Sequence, residues 1–324
     1  MAQVVTVFGG SGFLGKQVVR ALAKQGWRIR VAVRNPAIAY DIKLMGDVGQ
    51  IQLVRCDVRK EADIERALEG VNACVNLVGI LYQTLSESFD AVHRAASTKM
   101  AQVCATKGIS DFVQMSSLGA DPAAASKYAS TKGKAEVAVR KAVPTAVILR
   151  PSVMFGAQDG FFTMLAGQLK MLPLMPAFGG AHNKFQPVYV GDVAAAVART
   201  LGNSAAYGKI YELGGPEVFE FKDLIAYTGR EIMCPRPQVW APFLLARFIG
   251  VAGDFQAGLH GILSVVPAPL LTTDQVLLLQ KDNIVAKGAL ALKDLGIGAT
   301  AVESIVPTYL WRFRKNGQFA VQTT

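Results

Sequence analysis

A glycine-rich stretch close to the N-terminus constrains the fold of this chain more than any other feature. Residues 7–15 read Val-Phe-Gly-Gly-Ser-Gly-Phe-Leu-Gly and lie between a short β-branched run and a segment with helical spacing. In such a motif Gly9 permits a tight turn, Gly12 lets a pyrophosphate approach the backbone, and Gly15 lets the helix pack closely on the strand. The stretch therefore predicts a dinucleotide-binding loop with phosphates at a helix N-terminus.

The first half of the chain alternates short apolar runs with amphipathic segments, which is typical of a parallel doubly wound sheet. The predicted strands are Gln3–Phe8, Arg28–Val33, Ile51–Arg55, Ala73–Val78, Asp111–Met115 and Thr145–Leu149. The predicted helices are Phe13–Gln25, Ser86–Lys107 and Lys127–Lys141. We therefore predict an α/β fold in which residues 1–150 form a Rossmann-type core.

The second half has a less regular pattern with more glycine and proline. Strands are predicted at Phe185–Val193 and Lys209–Leu213, and an apolar helix at Trp240–Gly261. The last segment, Ile305–Phe319, is aromatic and basic. This pattern predicts that residues 151–324 form a smaller α/β lobe, interleaved with the sheet of the first half.

The end of the second predicted strand distinguishes the two nicotinamide dinucleotides. A site selective for NAD usually has an acidic residue there, which accepts hydrogen bonds from the ribose 2′-hydroxyl. Here the position is Arg34, whose guanidinium donates to a 2′-phosphate and stacks on adenine. Arg34 favours NADP(H), the alternative being a solvated surface arginine. Asp57, beside Val58 after the third strand, is predicted to meet the adenine amino group.

A tyrosine and a lysine lie four residues apart at the start of a predicted helix. This spacing puts Tyr128 and Lys132 on one helix face. A nearby ammonium lowers the pKa of a phenol, so such a tyrosine can act as an acid or base in hydride chemistry. Ser116 and Ser117 follow the fifth strand, at the sheet edge where ligands of such folds bind.

With these features the chain resembles the short-chain dehydrogenase/reductase superfamily, in its atypical branch. The resemblance extends to at least Gly215 and includes residues 76–79, Asn-Leu-Val-Gly, the pair Arg150-Pro151, and the stretch from Phe185 to Val193. It implies catalytic roles for three side chains, Ser117, Tyr128 and Lys132. The expected cofactor contacts are Gly9, Gly10, Ser11, Gly12, Phe13, Leu14, Gly15, Arg34, Asp57, Val58, Val78, Gly79, Tyr128, Lys132 and Pro151.

Two departures from the family pattern bear on turnover more than on cofactor binding. His93 stands where many extended members carry a structural asparagine, and we interpret it as a packed or surface histidine. The interval from Ser117 to Tyr128 is short, which limits a loop that could line a substrate. The chain is therefore not expected to be an independent catalyst.

A closer resemblance is to the nucleotide-binding accessory subunits of respiratory complex I, the NADH:ubiquinone oxidoreductase, in their bacterial form. Residues 89–93, Phe-Asp-Ala-Val-His, residues 115–121, Met-Ser-Ser-Leu-Gly-Ala-Asp, and the tail 303–314, Glu-Ser-Ile-Val-Pro-Thr-Tyr-Leu-Trp-Arg-Phe-Arg, carry it. It implies a mainly structural subunit on the hydrophilic arm near the quinone-binding junction. It also implies other complex I subunits as partners, and a tightly held NADPH that stabilises the fold outside the electron path.

Two segments are predicted to contact those subunits or the membrane boundary, namely Trp240–Val251 and Ile305–Phe319. Aromatic residues mixed with arginines are typical of interface anchors. The alternative is a C-terminal helix that packs on its own domain.

The composition limits the other partners and the compartment. Lys and Arg outnumber Asp and Glu by 34 to 24, a net charge of +10, and the mean hydropathy is +0.30. The basic residues form no arm and no nucleic-acid motif, so an anionic membrane face or acidic neighbours are favoured over nucleic acid. The four cysteines lack metal-ligand spacing, so they are expected to be reduced thiols, and no metal site is predicted.

The expected location is peripheral, on the cytoplasmic face of a bacterial inner membrane or, in a eukaryote, on the matrix side. No run approaches the roughly 18 apolar residues of a spanning helix, and the first strand leaves no room for a targeting peptide.

Two other functions stay open at this point. The first is an NADPH-dependent reductase, dehydrogenase or epimerase of the same superfamily, which Ser117, Tyr128 and Lys132 would serve. The second is a regulator that senses NADP(H) and reports it to a partner. Co-purification with respiratory membranes distinguishes these functions from the accessory subunit.

Overall fold

The computed structural model describes residues 3–260, 267 and 269–319 of the chain. Its strands are, in chain order, β1 (Val4–Phe8), β2 (Arg28–Val33), β3 (Ile51–Arg55), β4 (Ala73–Asn76), β5 (Asp111–Met115), β6 (Val147–Pro151), β7 (Met154–Phe155), β8 (Met175–Phe178), β9 (Lys184–Phe185), β10 (Val188–Tyr189), β11 (Ile210–Leu213), β12 (Phe219–Glu220) and β13 (Gln238–Ala241).

Helices alternate with the strands through most of the chain. They are α1 (Phe13–Lys24), α2 (Glu61–Ala67), α3 (Ala96–Thr106), α4 (Lys127–Ala142), α5 (Phe161–Met171), α6 (Val190–Thr200), α7 (Phe221–Glu231), α8 (Phe243–His260), α9 (Thr273–Leu278), α10 (Val302–Ile305) and α11 (Pro307–Leu310). A 3₁₀ segment covers Pro36–Met45, and a π-helical turn, Asp90–Ala95, leads into α3.

The chain divides into two compact units. The N-terminal unit comprises Met1–Pro151, Val190–Leu213 and Ala286–Gly298, and the C-terminal unit comprises Ser152–Tyr189, Gly214–Val285 and Ala299–Thr324. Segments from the second half of the chain, including α6 and β11, thus belong to the N-terminal unit.

A seven-stranded parallel sheet forms the centre of the N-terminal unit. Its order is β11-β6-β5-β4-β1-β2-β3. The strand order reverses between β1 and β4, and in open α/β sheets ligands bind beside this point, beyond the carboxyl ends of the strands. Val5, Val7 and Phe8 of β1 are fully buried, as expected of a sheet covered by helices on both faces. The prediction of a Rossmann-type doubly wound sheet is confirmed.

Several predicted boundaries in this unit are wrong. The fourth strand ends at Asn76 rather than Val78, and the sixth begins at Val147 rather than Thr145. The helix predicted at Ser86–Lys107 begins only at Asp90, because residues 84–87 form a turn in which Thr84 N–H donates to Glu87 O at 2.9 Å and Glu87 N–H donates to the Thr84 hydroxyl at 3.1 Å. The sixth strand extends to Pro151 rather than ending at Leu149.

The C-terminal unit is built from short paired strands packed with helices. The pairs are β10 with β7, β12 with β9, and β13 with β8. Aromatic side chains fill much of its core, where Phe155 and Phe162 are fully buried with ring centroids 6.2 Å apart.

Two predicted elements of the second half are wrong in part, and proline explains both. The predicted strand Phe185–Val193 is divided into β9 and β10 around Pro187, and α6 then begins at Val190, since proline cannot donate to a sheet ladder. The predicted helix Trp240–Gly261 begins only at Phe243, because Trp240 lies in β13 and Pro242 separates the strand from α8. Gly261 lies outside the described residues.

The C-terminal tail packs partly inside its own unit. Val306, Tyr309 and Leu310 are buried, and the Tyr309 hydroxyl donates to Asp159 Oδ2 at 2.6 Å. Arg312 donates to the Thr163 hydroxyl at 2.8 Å. For the three buried residues, the predicted partner contact is therefore wrong, and internal packing takes its place. Apolar burial and a charged hydrogen bond account for these three residues. For Trp311 and Phe319, which are 37% and 79% exposed, the partner contact stays a prediction.

Candidate functional site

The predicted cofactor-binding residues outside α4 lie at one edge of the parallel sheet. The glycine loop follows β1, and Arg34, Asp57 and Gly79 follow β2, β3 and β4. Ser117 follows β5, and Pro151 ends β6, where its carbonyl accepts from Leu118 N–H at 3.0 Å. The sheet thus gathers residues from Gly9 to Pro151 along its carboxyl edge.

The glycine loop has the conformation that its motif predicts. Gly9 has φ +77°, in the region that favours glycine, and its carbonyl accepts from Gly12 N–H at 3.1 Å. A Cβ on Gly15 would lie 2.2 Å from Gly9 O, so the close approach of α1 requires a glycine there. Gly10 has a similar constraint, since its Cβ would lie 2.6 Å from Val31 Cγ1.

Gly12 differs from its neighbours. A Cβ there would meet only Gly9 O, at the ordinary contact distance of 3.4 Å, and its φ of −76° suits any residue. Protein packing therefore does not require glycine at this position. The open space lies at the N-terminus of α1, where the first backbone N–H groups have no partner within the helix. The sequence motif predicts a phosphate in this space, which would explain the glycine.

The remaining residues of the predicted loop surround this space. Ser11 is exposed, Phe13 is half-buried and Leu14 is buried at the start of α1. Val58 and Val78 are half-buried and pack against the core of the N-terminal unit.

A basic cavity of about 460 Å³ lies beyond the ends of β2 and β3. Five basic and two acidic side chains line it, which leaves three more positive than negative charges. The basic residues are Arg34, Arg55, Arg59, Lys60 and Arg66, and the acidic ones are Asp57 and Asp63. Such a balance fits a phosphate ester. The sequence analysis identified Arg34 and missed the other cations, because nothing local in the sequence says that they converge.

Asp57 is engaged within this cavity. Arg59 donates to its carboxylate from Nε at 2.9 Å and from Nη2 at 2.7 Å. These hydrogen bonds lower the pKa of Asp57 to about 2. The backbone N–H of Asp57 donates to Asp63 Oδ2 at 2.9 Å. The predicted contact between Asp57 and adenine stays a prediction.

Arg34 also has an acidic partner. Its side chain is 71% exposed and forms an ion pair with Glu87, whose side chain is only 20% exposed. Sequence analysis missed Glu87, because 53 residues separate the two partners.

The two serines after β5 have different environments. The Ser116 hydroxyl donates to the buried carboxylate of Glu136. Arg150 donates to the same carboxylate from Nη2 at 2.6 Å and from Nε at 3.0 Å. Ser117 Oγ is buried and has no hydrogen-bond partner among the described residues. Burying a hydroxyl without a partner is costly, and a ligand that hydrogen-bonds to Ser117, as the sequence predicts, would remove this cost. The link from Ser116 through Glu136 to Arg150 was missed by sequence analysis.

Tyr128 and Lys132 lie on one face of α4, as predicted. Lys132 Nζ is 6.0 Å from the centroid of the Tyr128 ring. Burial lowers the pKa of Lys132 to about 8, although the carboxylate of Glu136 opposes this shift. Lys132 also donates to Met115 O at 3.3 Å. A Cβ on Gly79 would lie 3.3 Å from Lys132 Nζ, so the loop after β4 passes close to the lysine.

His93 is a packed histidine, as interpreted from the sequence. It is buried in the π-helical turn, and its Nε2 accepts from Ile80 N–H at 3.1 Å. Nδ1 therefore carries the proton and donates to the Thr131 hydroxyl at 3.2 Å. Burial and the charge of Lys132 lower the pKa of His93 to about 3. The ring is neutral near pH 7 and holds the loop after β4 against α4.

A second surface feature lies in the C-terminal unit. The inner face of α8 is made of small residues, Ala246, Gly250, Gly253 and Ala257, which are buried. A Cβ on Gly253 would lie 1.8 Å from Leu271 O, so the close contact excludes a larger side chain. The bulky apolar residues of the helix consequently face outwards, and the strand before it adds more: Leu244, Leu245, Phe248, Val251 and Phe255, with Val239 and Trp240 of β13. We call these residues the α8 face.

Neither a metal site nor a membrane span is found in the part of the chain that the structure describes. No group of His, Cys, Asp and Glu side chains there could hold a metal ion. None of the helices described combines the length and apolarity needed to cross a bilayer.

Comparisons with known proteins agree along most of the chain. Residues 5–214 match the model of the NAD dependent epimerase/dehydratase family. The chain is 35% identical over 323 residues to "NADH dehydrogenase [ubiquinone] 1 alpha subcomplex subunit 9, mitochondrial" of Arabidopsis thaliana, covering 97% of this chain and 79% of the relative. It is 28% identical to "NADH-ubiquinone oxidoreductase 40 kDa subunit, mitochondrial" of Neurospora crassa, covering 97% and 80%.

The fold also matches solved structures at low sequence identity. The crystal structure of gox2253 superposes with a TM-score of 0.71 over 98% of this chain and 100% of that one, at 20% identity. This likeness shows a shared fold.

Proposed function

This chain belongs to the NAD dependent epimerase/dehydratase family and, within it, to the family of the complex I subunit 9 and 40 kDa proteins, and we propose that it is an accessory subunit of respiratory complex I. The observation that carries this proposal is the extent of the match with the plant subunit. It covers 97% of the chain, so it includes the C-terminal unit with the α8 face as well as the Rossmann sheet.

The cofactor that we propose is NADPH. The glycine loop would hold the pyrophosphate, and Tyr128 and Lys132 would hold the nicotinamide ribose, with Ser117 nearby. The basic cavity supports the choice of the phosphorylated cofactor, since its lining has three more positive than negative charges. NADH brings a neutral 2′-hydroxyl to this place, which gains little from so many cations.

We propose a structural role for this cofactor. A ligand that binds only the folded state stabilises it by RT ln(1 + [L]/Kd), about 4 kcal/mol at a thousandfold excess over Kd. The proposed contacts extend over the ends of β1 to β6, so the ligand would join the whole sheet edge. This role needs no substrate and leaves the nicotinamide outside the electron path.

The α8 face supports a location at the membrane boundary. Monomeric proteins rarely expose large contiguous apolar patches, yet Phe248 and Phe255 are 68% and 73% exposed. We propose that this face contacts neighbouring complex I subunits or the bilayer surface near the quinone-binding region. The chain would then be a peripheral protein on the cytoplasmic side of a bacterial inner membrane, or on the matrix side in a eukaryote.

One observation favours a second function, the NADPH-dependent reduction of a carbonyl compound. Lys132 has a lowered pKa beside Tyr128, and Ser117 Oγ lacks a partner among the described residues. These are the groups that proton transfer to a carbonyl oxygen needs. The same groups also suit a cofactor that is only held, and turnover of NADPH with a carbonyl substrate distinguishes the two functions.

Purification from detergent-solubilised native membranes tests the proposal. We expect a tagged chain to elute with NADH:quinone activity and to release NADPH on denaturation. Recovery in the soluble fraction, with oxidation of added NADPH by a carbonyl substrate, would establish the reductase instead. Recovery of mainly NAD(H) would contradict the cofactor and leave the assignment to complex I standing.

A further inference from the structure

The ion pair between Arg34 and Glu87 lies beside the basic cavity. Arg34 lines the cavity, and its Nη1 donates to Glu87 Oε1. The exposure of the two side chains differs greatly, at 71% for Arg34 and 20% for Glu87. The carboxylate is thus held by the fold, whereas the guanidinium extends from the end of β2 towards solvent.

Glu87 is fixed by the turn that carries it. Two hydrogen bonds join its backbone to Thr84, and Arg59 donates from Nη1 to Ser86 O at 3.1 Å. Arg59 is itself held by the carboxylate of Asp57. The turn and the cavity wall therefore form one connected arrangement, in which Glu87 has a set position opposite Arg34.

A carboxylate at this position affects the two cofactors differently. A phosphate monoester carries a charge of roughly −1.5 to −2 near pH 7, so it competes with the Glu87 carboxylate for Nη1 and for the positive charge of Arg34. A 2′-hydroxyl carries no charge, and it can lie beside the ion pair without breaking it.

On this basis we propose that Glu87 competes with the 2′-phosphate of the cofactor for Arg34 and so sets the selectivity between NADPH and NADH. The inference rests on the proposed dinucleotide site but not on assembly into complex I. The phosphate pairs with the exposed guanidinium of Arg34, and the ion pair with Glu87 is lost. Glu87 is thus a specificity-determining residue that lowers the affinity for NADPH and leaves the affinity for NADH unchanged.

Titration of the purified, nucleotide-free full chain tests this competition. NADPH, NADH and adenosine 2′,5′-bisphosphate are each titrated into the wild type and into Glu87→Gln by calorimetry. An exposed ion pair contributes about 0.2–1 kcal/mol, so NADPH and the bisphosphate should bind up to about fivefold more tightly to the variant. The affinity for NADH should stay the same. Glu87→Lys should tighten NADPH further, since it adds a cation.

Matched controls separate this effect from a general change of charge. Glu69 forms an exposed ion pair with Lys107 and does not line the cavity, so Glu69→Gln should leave all three affinities unchanged. Thermal melts without nucleotide check that each variant is folded.

The outcomes distinguish this inference from the proposed function. Unchanged or weaker NADPH binding by Glu87→Gln, or an equal gain for NADH, would overturn the competition while the dinucleotide site stands. If the wild type bound neither nucleotide, the cofactor proposal and this inference would both fail. If the chain shows the expected affinities but does not co-purify with complex I, this inference and the dinucleotide site stand and the assignment to complex I fails.

Discussion

The glycine loop and the α8 face use small residues in opposite ways. In the loop, Gly15 brings α1 against backbone, while Gly12 leaves a space that the protein itself does not fill. In α8, Gly250 and Gly253 bring the helix against residues 271–273 and turn Phe248 to the outside. One arrangement makes room for a small polar ligand, and the other presents a wide apolar surface.

This difference shows how close backbone packing can serve recognition. When the packed side of a helix or loop consists of small residues, the larger side chains or the ligand space lie on the other side. The small residues at the contact therefore determine which groups are exposed for recognition. Variants of the glycine loop and of the α8 face should therefore affect different properties of the protein.

Gly15→Ala should affect the fold itself. Its Cβ would lie 2.2 Å from Gly9 O and 2.6 Å from the Gly10 carbonyl carbon, and backbone atoms cannot yield as a flexible side chain can. We expect a loss of more than about 3 kcal/mol in the free energy of unfolding, measured by urea denaturation without nucleotide. Wild-type stability in this variant would mean that α1 does not pack as described.

Gly12→Val should instead affect the ligand alone. The position has extended backbone, and its Cβ meets only an ordinary contact, so the nucleotide-free stability should stay within about 1 kcal/mol. NADPH affinity should fall at least about 100-fold, or 2.8 kcal/mol, in calorimetric titration. If Gly12→Val bound NADPH as tightly as the wild type, the pyrophosphate would not lie against Gly12.

Replacing two exposed phenylalanines should remove the chain from its partners. Phe248→Glu with Phe255→Glu should leave the isolated fold and NADPH binding intact, because both side chains are mostly exposed. Each ring buried at an interface contributes about 1.5–3 kcal/mol, so the double variant should no longer co-fractionate with complex I. Leu44→Glu, at an 87% exposed position of the N-terminal unit, is the control. If the double variant and Leu44→Glu both lost co-fractionation with complex I to the same extent, the cause would be a general effect on solubility.

Tyr309→Phe tests the internal role of the tail. It removes the donor to buried Asp159, at a cost of about 1–3 kcal/mol. Burial raises the pKa of Asp159, and the Tyr309 hydrogen bond opposes that rise. An acid with a raised folded-state pKa stabilises the fold below its unfolded pKa and loses this contribution as pH rises through the folded value.

The variant should raise the pKa of Asp159 further and extend this loss to higher pH. Its destabilisation should therefore be greater at pH 7 than at pH 4, in denaturation measured at both. Tyr227→Phe is the matched control, since that hydroxyl is buried without a partner among the described residues. A pH-independent cost for Tyr309→Phe would contradict the ionised pairing.

Tyr128→Phe should have the smallest effect. It removes one hydroxyl, so stability should change by about 1 kcal/mol or less, and assembly and NADH:quinone activity should stay near wild type. Activity lost from an assembled subunit that still holds NADPH would show that the tyrosine takes part in chemistry. That result would overturn the structural role of the cofactor.

The sequence by itself determined the glycine loop, a parallel doubly wound sheet, the place of Arg34 at the end of the second strand, and the shared face of Tyr128 and Lys132. Each of these follows from spacing within a few residues, which backbone geometry converts directly into position. Periodicity could not fix the boundaries at Asp90, Pro187 and Trp240, because a hydrogen-bonded turn or a proline interrupts an otherwise regular pattern.

The tertiary structure alone decided which charges and hydroxyls face one another. Arg34 meets Glu87 across 53 positions, and Tyr309 meets Asp159 across 150. In the fold, the Ser116 hydroxyl donates to Glu136, whereas Ser117 Oγ has no partner among the described residues. Sheet order and helix packing set these pairings, and burial then gives them their energy, since a polar group removed from water must find a partner or remain costly.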